Sequence, residues 1–143
     1  MSFLSIHANH RFQVEIDGIG QAAFSEVQLP ESSVEVIDYR DGNEIGTRKL
    51  PGLRKYSNLT LKRGVTTSDE LFKWWKTVAD GQTERRNVAV ILLDEQRTPV
   101  KRWNMRNAWP ARYAVSPLIA IDGCVVVTET LECAVESLEA ESG

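Results

Sequence analysis

The chain has 143 residues, 42% of them hydrophobic and 26% charged, with a formal net charge of −3. That is the length of one domain, 1–143, with a single sizeable core, and the sign of the charge excludes a surface tuned throughout to phosphate backbones. No apolar run reaches the roughly 18 residues needed to span a bilayer, and MSFLSIHANHRF lacks the regions of a secretory signal, so synthesis in the cytoplasm is expected.

Period-two alternation dominates. Phe12, Val14 and Ile16 alternate with polar residues, and Gly18-Ile19-Gly20 turns into a run carrying Ala22, Phe24 and Val27. Leu29 through Ser33 interrupts, and Val34 to Arg40 reads as a third strand. The segment 41–52, DGNEIGTRKLPG, holds three glycines and a proline. It reads as a long loop, well beyond the ~6 residues usual in a compact domain. In a fourth strand over 56–63, Ser57, Leu59, Leu61 and Arg63 alternate with Tyr56, Asn58, Thr60 and Lys62.

The spacing predicts one helix over 67–80. Leu71, Trp74, Trp75 and Val78 form an apolar stripe, Thr67 with Glu70 makes a capping box, and Gly81 suits the position after the last turn. Residues 87–93 are an almost continuous apolar run, predicting a strand buried on both faces. Val100 to Asn107 pairs with it, Asn107-Ala108-Trp109-Pro110 breaks the chain again, and Arg112 to Val115 is extended. After the Ile121-Asp122-Gly123 turn, Cys124 to Glu136 reads as one long strand with its glutamates on a solvated face. The acidic tail, 139–143, is expected to fray. The fold class is therefore mainly β: two antiparallel sheets packed as a sandwich or barrel, with one flanking helix.

Cys124 and Cys133, on one strand, stand about 30 Å apart, beyond the reach of a disulfide, and read as two buried free thiols. His7 and His10 have no zinc-ligand spacing, so no metal or cofactor is expected. No nucleophile elbow or phosphate loop occurs, and DGNE lacks the ordered ligands of a calcium loop. The sequence nominates no catalytic residue. What remains is a basic cluster (Arg48, Lys49, Arg54, Lys55, Lys62, Arg63, Arg85, Arg86) interleaved with aromatics. It fits either a single-strand nucleic-acid groove or a charged, solvated and intersubunit surface.

LPGLRKYSNLTLKRGVTTSDELFKWW, preceded by Asp-Tyr-Arg-Asp-Gly, resembles the tail tube proteins of contractile phages and the inner-tube proteins of extracellular contractile injection systems. Thr83-Glu84-Arg85-Arg86, Trp103 with Asn107-Ala108-Trp109-Pro110, and the terminal Thr-Glu-Thr-Leu-Glu strand extend the resemblance from about Phe12 to Leu138. It implies a non-enzymatic subunit of stacked hexameric rings around a lumen that carries DNA or an effector. The implied partners are further copies of the chain, a sheath protein, and baseplate or tube-initiator proteins. The implied setting is a phage tail or an injection particle. By the same resemblance the 41–52 loop reaches a neighbouring ring or subunit, so Arg40, Asp41, Glu44, Arg48 and Lys49 are the candidate stacking residues. Arg54 and Lys55 are candidates for contacts between neighbouring subunits. A tube-initiator paralogue and a monomeric nucleic-acid-binding β-barrel are the alternatives.

Overall fold

Alternating residues become sheet along most of the chain. The computed structural model describes residues 11–43 and 45–142. His7, His10, Glu44 and the segment 1–9 lie outside the described residues. Among them are twelve strands and one helix: β1 Arg11–Ile16, β2 Gly20–Ala22, β3 Glu26–Gln28, β4 Ser32–Tyr39, β5 Arg48–Tyr56, β6 Leu59–Gly64, α1 Glu70–Ala79, β7 Arg86–Leu93, β8 Pro99–Val115, β9 Ile119–Ile121, β10 Cys124–Val126, β11 Thr128–Ala134 and β12 Ser137–Ser142.

The body is antiparallel and ordered β2-β1-β7-β8-β11-β6-β3, with β12 also on β8. The strand β8 divides this path into two sheets. Its first half lies between β7 and β12, and its second half pairs with β11. The expected break at 107–110 is a bend inside this one strand. Asn107 takes φ 54°, a left-handed conformation that Asn tolerates better than most residues. Its N–H donates to Asn87 Oδ1 at 3.2 Å, and its Nδ2 donates to Glu136 Oε2 at 2.7 Å. Pro110, which has no N–H to give, sits beside the register shift between Glu132 and Cys133.

Between the sheets lies one core: Val14, Ile16, Val88, Val90 and Met105 from the first, Leu59, Leu61, Leu131 and Cys133 from the second, closed by Leu71 and Trp74 of α1. The 87–93 run is buried on both faces as its composition requires; Ala89 and Ile91 are covered on the side away from this core. Two basic and acidic residues join the interior. Arg63 and Glu129, 7% and 3% exposed, face each other in register across β6 and β11. Arg63 Nε approaches Glu129 Oε2 at 3.5 Å, and its guanidinium lies over the Phe24 ring at 5.6 Å. The Tyr113 hydroxyl donates to Glu129 Oε1 at 3.4 Å, and burial, followed by the adjacent carboxylate, raises its pKa above the usual 10.0. Glu129 is thus not on a solvated face, and Arg63 is not part of a surface cluster.

The helix is shorter than 67–80, and Asp69, not Thr67, is its N-cap, without a side-chain cap hydrogen bond. Thr66 Oγ1 instead accepts from Ser68 N at 3.2 Å. At the other end Gly81 takes φ +80° and donates its N–H to Val78 O at 3.1 Å, the left-handed stop that glycine permits. Trp74 Nε1 donates to Glu84 O at 2.8 Å, fastening α1 to the connection that leads into β7. Arg86 ties the same region together: Nη1 donates to Asp17 O at 2.7 Å, Nη2 meets Glu84 Oε2 at 2.7 Å, and its guanidinium lies 5.7 Å from the Trp74 ring. A Cβ at Gly18 would overlap Arg86 Nη1, so this turn needs glycine for space as well as for its φ of +80°.

Three other expectations are corrected. Residues 48–52 are not loop but the start of β5, and Ser57-Asn58 separates β5 from β6. The stretch from Cys124 to Glu136 is two strands, parted at Val127. The tail is not frayed over its described length: Ser137–Ser142 pairs with Lys101–Arg106.

Cys133 is buried, whereas Cys124 is exposed. Burial pushes the Cys133 thiol from an ordinary 9.0 up to about 12. Its proton is held by the folded state and lost by the unfolded chain. The associated stability is therefore complete below pH 9 and is lost as pH rises towards 12. Unfolding free energies from urea titrations taken upward from pH 9 should fall more steeply for the wild type than for Cys133→Ala, by at most about 4 kcal/mol across the window. Parallel slopes for the two proteins would show that the thiol is not the cause.

Candidate functional site

Two structures stand off the body. The first is the β4–β5 ribbon, nine residues long on its β5 side, in which every residue of β4 is exposed. Its strands pair Tyr39 with Arg48, Asp38 with Lys49, Ile37 with Leu50 and Val36 with Pro51, then shift register before Val34 meets Arg54. Pro51 falls at that shift, the place in a ladder that best tolerates a missing donor. Gly52 leaves room for Ile37, whose Cδ1 would lie 2.9 Å from an added Cβ. The ribbon meets the body where Ser57 N donates to Glu31 O at 3.0 Å and Glu31 N to Ser57 Oγ at 2.7 Å.

Six of the seven residues nominated from sequence fall on this ribbon, all exposed: Arg40 and Asp41 after β4, and Arg48, Lys49, Arg54 and Lys55 on β5. Lys49 Nζ reaches Asp38 Oδ1 at 2.8 Å, and Asp41 Oδ1 accepts from Gly42 N at 3.1 Å. The seventh, Glu44, lies outside the described residues. The remaining members of the basic cluster are dispersed. Arg63 is in the core, and Arg86 is engaged beneath α1. Trp74, at 1% exposure, presents no face to a base.

Sequence reasoning missed the second projection, β9–β10. It joins through an Asp122-Gly123 turn with φ 50° and 79°, the two left-handed residues of a tight hairpin. The Asp-Gly signal was visible, but Val125-Val126-Val127 read as part of one long last strand.

The body offers little chemistry. A groove of about 470 Å³ on the outer face of the first sheet is lined by Glu15, Arg102, Asn104, Glu139 and Glu141 among others. Three of its charges are spent on one another. Arg102 Nη2 lies 3.4 Å from Glu15 and its Nε 3.6 Å from Glu141, while Asn104 Nδ2 donates to Glu141 Oε1 at 3.1 Å. Among the described residues no group of three or more His, Cys, Asp or Glu side chains is placed to hold a metal ion, and no helix is long and apolar enough to cross a membrane.

The sequence profile of the T4-like virus tail tube protein gp19 matches residues 8–139. No curated protein sequence matches the chain. A chain of the extended sheath–tube complex of PVC, an extracellular contractile injection system, is 26% identical with a TM-score of 0.80, over 100% of this chain and 99% of that one. A chain of the anti-feeding prophage baseplate is likewise 26% identical with a TM-score of 0.80, over 93% of each. Hcp1 from Salmonella typhimurium shares the fold at 12% identity, with a TM-score of 0.65 over 93% of this chain and 86% of that one. A β body without a catalytic constellation among its described residues, carrying two projecting ribbons, accords with these likenesses: the chain belongs to the T4-like virus tail tube protein gp19 family.

Proposed function

We propose that the chain is a non-catalytic subunit of the inner tube of a contractile tail or injection particle. Six copies form a ring, and rings stack around a lumen that passes DNA or an effector. The subunit is synthesised in the cytoplasm and joins a sheath outside it and a baseplate below. The observation that carries this reading is the β4–β5 ribbon. A two-stranded ribbon is marginal in water by itself, and this one holds Val34, Val36, Ile37 and Leu53 exposed. A neighbouring copy covers such a surface and closes its open edges. The near end-to-end match to a chain of a sheath–tube complex supports the same reading.

Deletion of Asn43 to Thr47 removes the turn of the ribbon and leaves the body untouched. The variant should keep the wild-type circular dichroism and ring mass in light scattering, yet give no long tubes in negative stain. Long tubes from the deleted protein would remove the ribbon turn from stacking. A monomer that shifts only with single-stranded oligonucleotide, and less so at high salt, would replace the whole reading with a nucleic-acid barrel. The likeness to a baseplate chain favours one second reading, a tube initiator. Purified initiator stops at a single ring, whereas the main tube subunit continues to stack.

A further inference from the structure

The β8–β11 hairpin overruns its own sheet. Its neighbour β6 ends at Gly64, opposite Thr128, and beyond that point the hairpin continues as β9–β10 with no described strand on either edge. Its base is clamped: Ser116 N donates to Thr128 O at 2.8 Å, Thr128 N to Ser116 Oγ at 2.9 Å, and Val65 N to Val127 O at 3.2 Å. The tip is therefore a held hairpin and not a slack loop. Leu118, Ile119, Ile121, Val125 and Val126 are each between 56% and 72% exposed. Ile119 opposes Val126 and Ile121 opposes Cys124 on one face, while Ala120 opposes Val125 on the other, so neither face is polar. Asp122 is the one charge between Ser116 and Val127.

A second exposed apolar surface lies on the same chain. Of the seventeen exposed large apolar residues among the described residues, six lie on the tip or its base and seven on the β4–β5 ribbon and its turn. The two patches also differ in charge. Against Arg48, Lys49, Arg54 and Lys55 on β5 the ribbon sets Glu35 and Asp38 on β4, with Lys49 paired to Asp38 at 2.8 Å, so it keeps an excess of base, whereas the tip carries only Asp122.

We propose that the β9–β10 tip of one copy docks against the β4–β5 ribbon of the next, head to tail. Two different patches on one chain make a heterologous interface, which closes into a ring or continues as a filament according to its rotation. The inference rests on the self-association proposed above and adds to it which surfaces meet.

The native thiols supply the test. Cys124 stands exposed on the tip, and Cys133 is buried. Leu53→Cys places a second reactive thiol on β5, where Leu53 is 71% exposed. The full chain, assembled and treated with a short bis-maleimide, should give a ladder of dimer, trimer and higher adducts only in this variant, and Cys124→Ser should abolish the ladder. Dimers in the wild type would mean tip meeting tip and would overturn the proposal. No ladder from a variant that forms stacked rings in negative stain would overturn it while leaving the tube reading intact. Absence of both rings and adducts would overturn both. Independently, Ile119→Lys, a surface change, should keep the fold and raise the concentration needed for assembly into rings or tubes about tenfold or more. Unchanged assembly of both would count against the tip.

Discussion

Glu129→Gln lowers the unfolding free energy by about 3–5 kcal/mol, the expected cost of removing one partner from a buried ion pair. That is a large part of the ~5–15 kcal/mol that holds an ordinary domain folded. The reason is local. Arg63 is 7% exposed, and its Nε and Nη2 make no hydrogen bond among the described residues. The 3.5 Å approach of Nε to Glu129 Oε2 is a Coulombic contact, supplemented by the face of Phe24. With the carboxylate gone, the guanidinium keeps its charge and its burial but loses its counter-ion. Removing both, as in Arg63→Met with Glu129→Leu, should be milder than either single change, since no unpaired charge is left inside. Urea denaturation of the wild type, Arg63→Met, Glu129→Leu and the double variant closes the cycle. If the two single effects simply add in the double variant, the pair is not coupled.

Trp74→Ala should cost about 3–5 kcal/mol, for a different reason. Trp74 is 1% exposed and joins α1 to both halves of the core. Its loss leaves a cavity that α1 cannot fill without moving. It also orphans the Glu84 carbonyl that Nε1 meets at 2.8 Å, and removes the ring beneath Arg86. Trp74→Phe restores most of the volume and none of the hydrogen bond, so it should recover most of the loss and remain about 1 kcal/mol short. A Trp74→Ala protein within about 1 kcal/mol of wild type would mean that the helix is fastened elsewhere.

Much of the fold was legible because alternation is a direct reading of burial in a two-sided sheet. Leu59 and Leu61 point inward as their phase required, and Leu71 and Trp74 bury the helix stripe. Arg63 was legible by the same rule, since it shares the phase of Leu59 and Leu61. Its partner Glu129 shares that of Leu131 and Cys133. Residue type prevailed over phase in the reading, and the pair lies 66 positions apart, so only the β6–β11 register shows that two buried charges neutralise each other. Prolines misled in a related way. Pro51 and Pro110 suggested loop and break, yet both sit at register shifts where a ladder gives up a donor cheaply. Of the ribbon, the first strand was legible, whereas residues 48–52 of the second were read as loop. The β9–β10 tip was invisible because a valine run is equally suited to a core and to an interface, and only exposure in the folded chain distinguishes them.

The bend at Asn107 has a mechanical consequence. Because Pro99–Val115 runs unbroken through both sheets, the body has no seam along which one sheet can slide over the other. A push delivered to the β7–β12 side reaches the β11 side through covalent backbone, without relying on side-chain friction. A load along β8 is shared among its ladders with β7, β12 and β11. Stiffness of this kind is set by the path of a single strand.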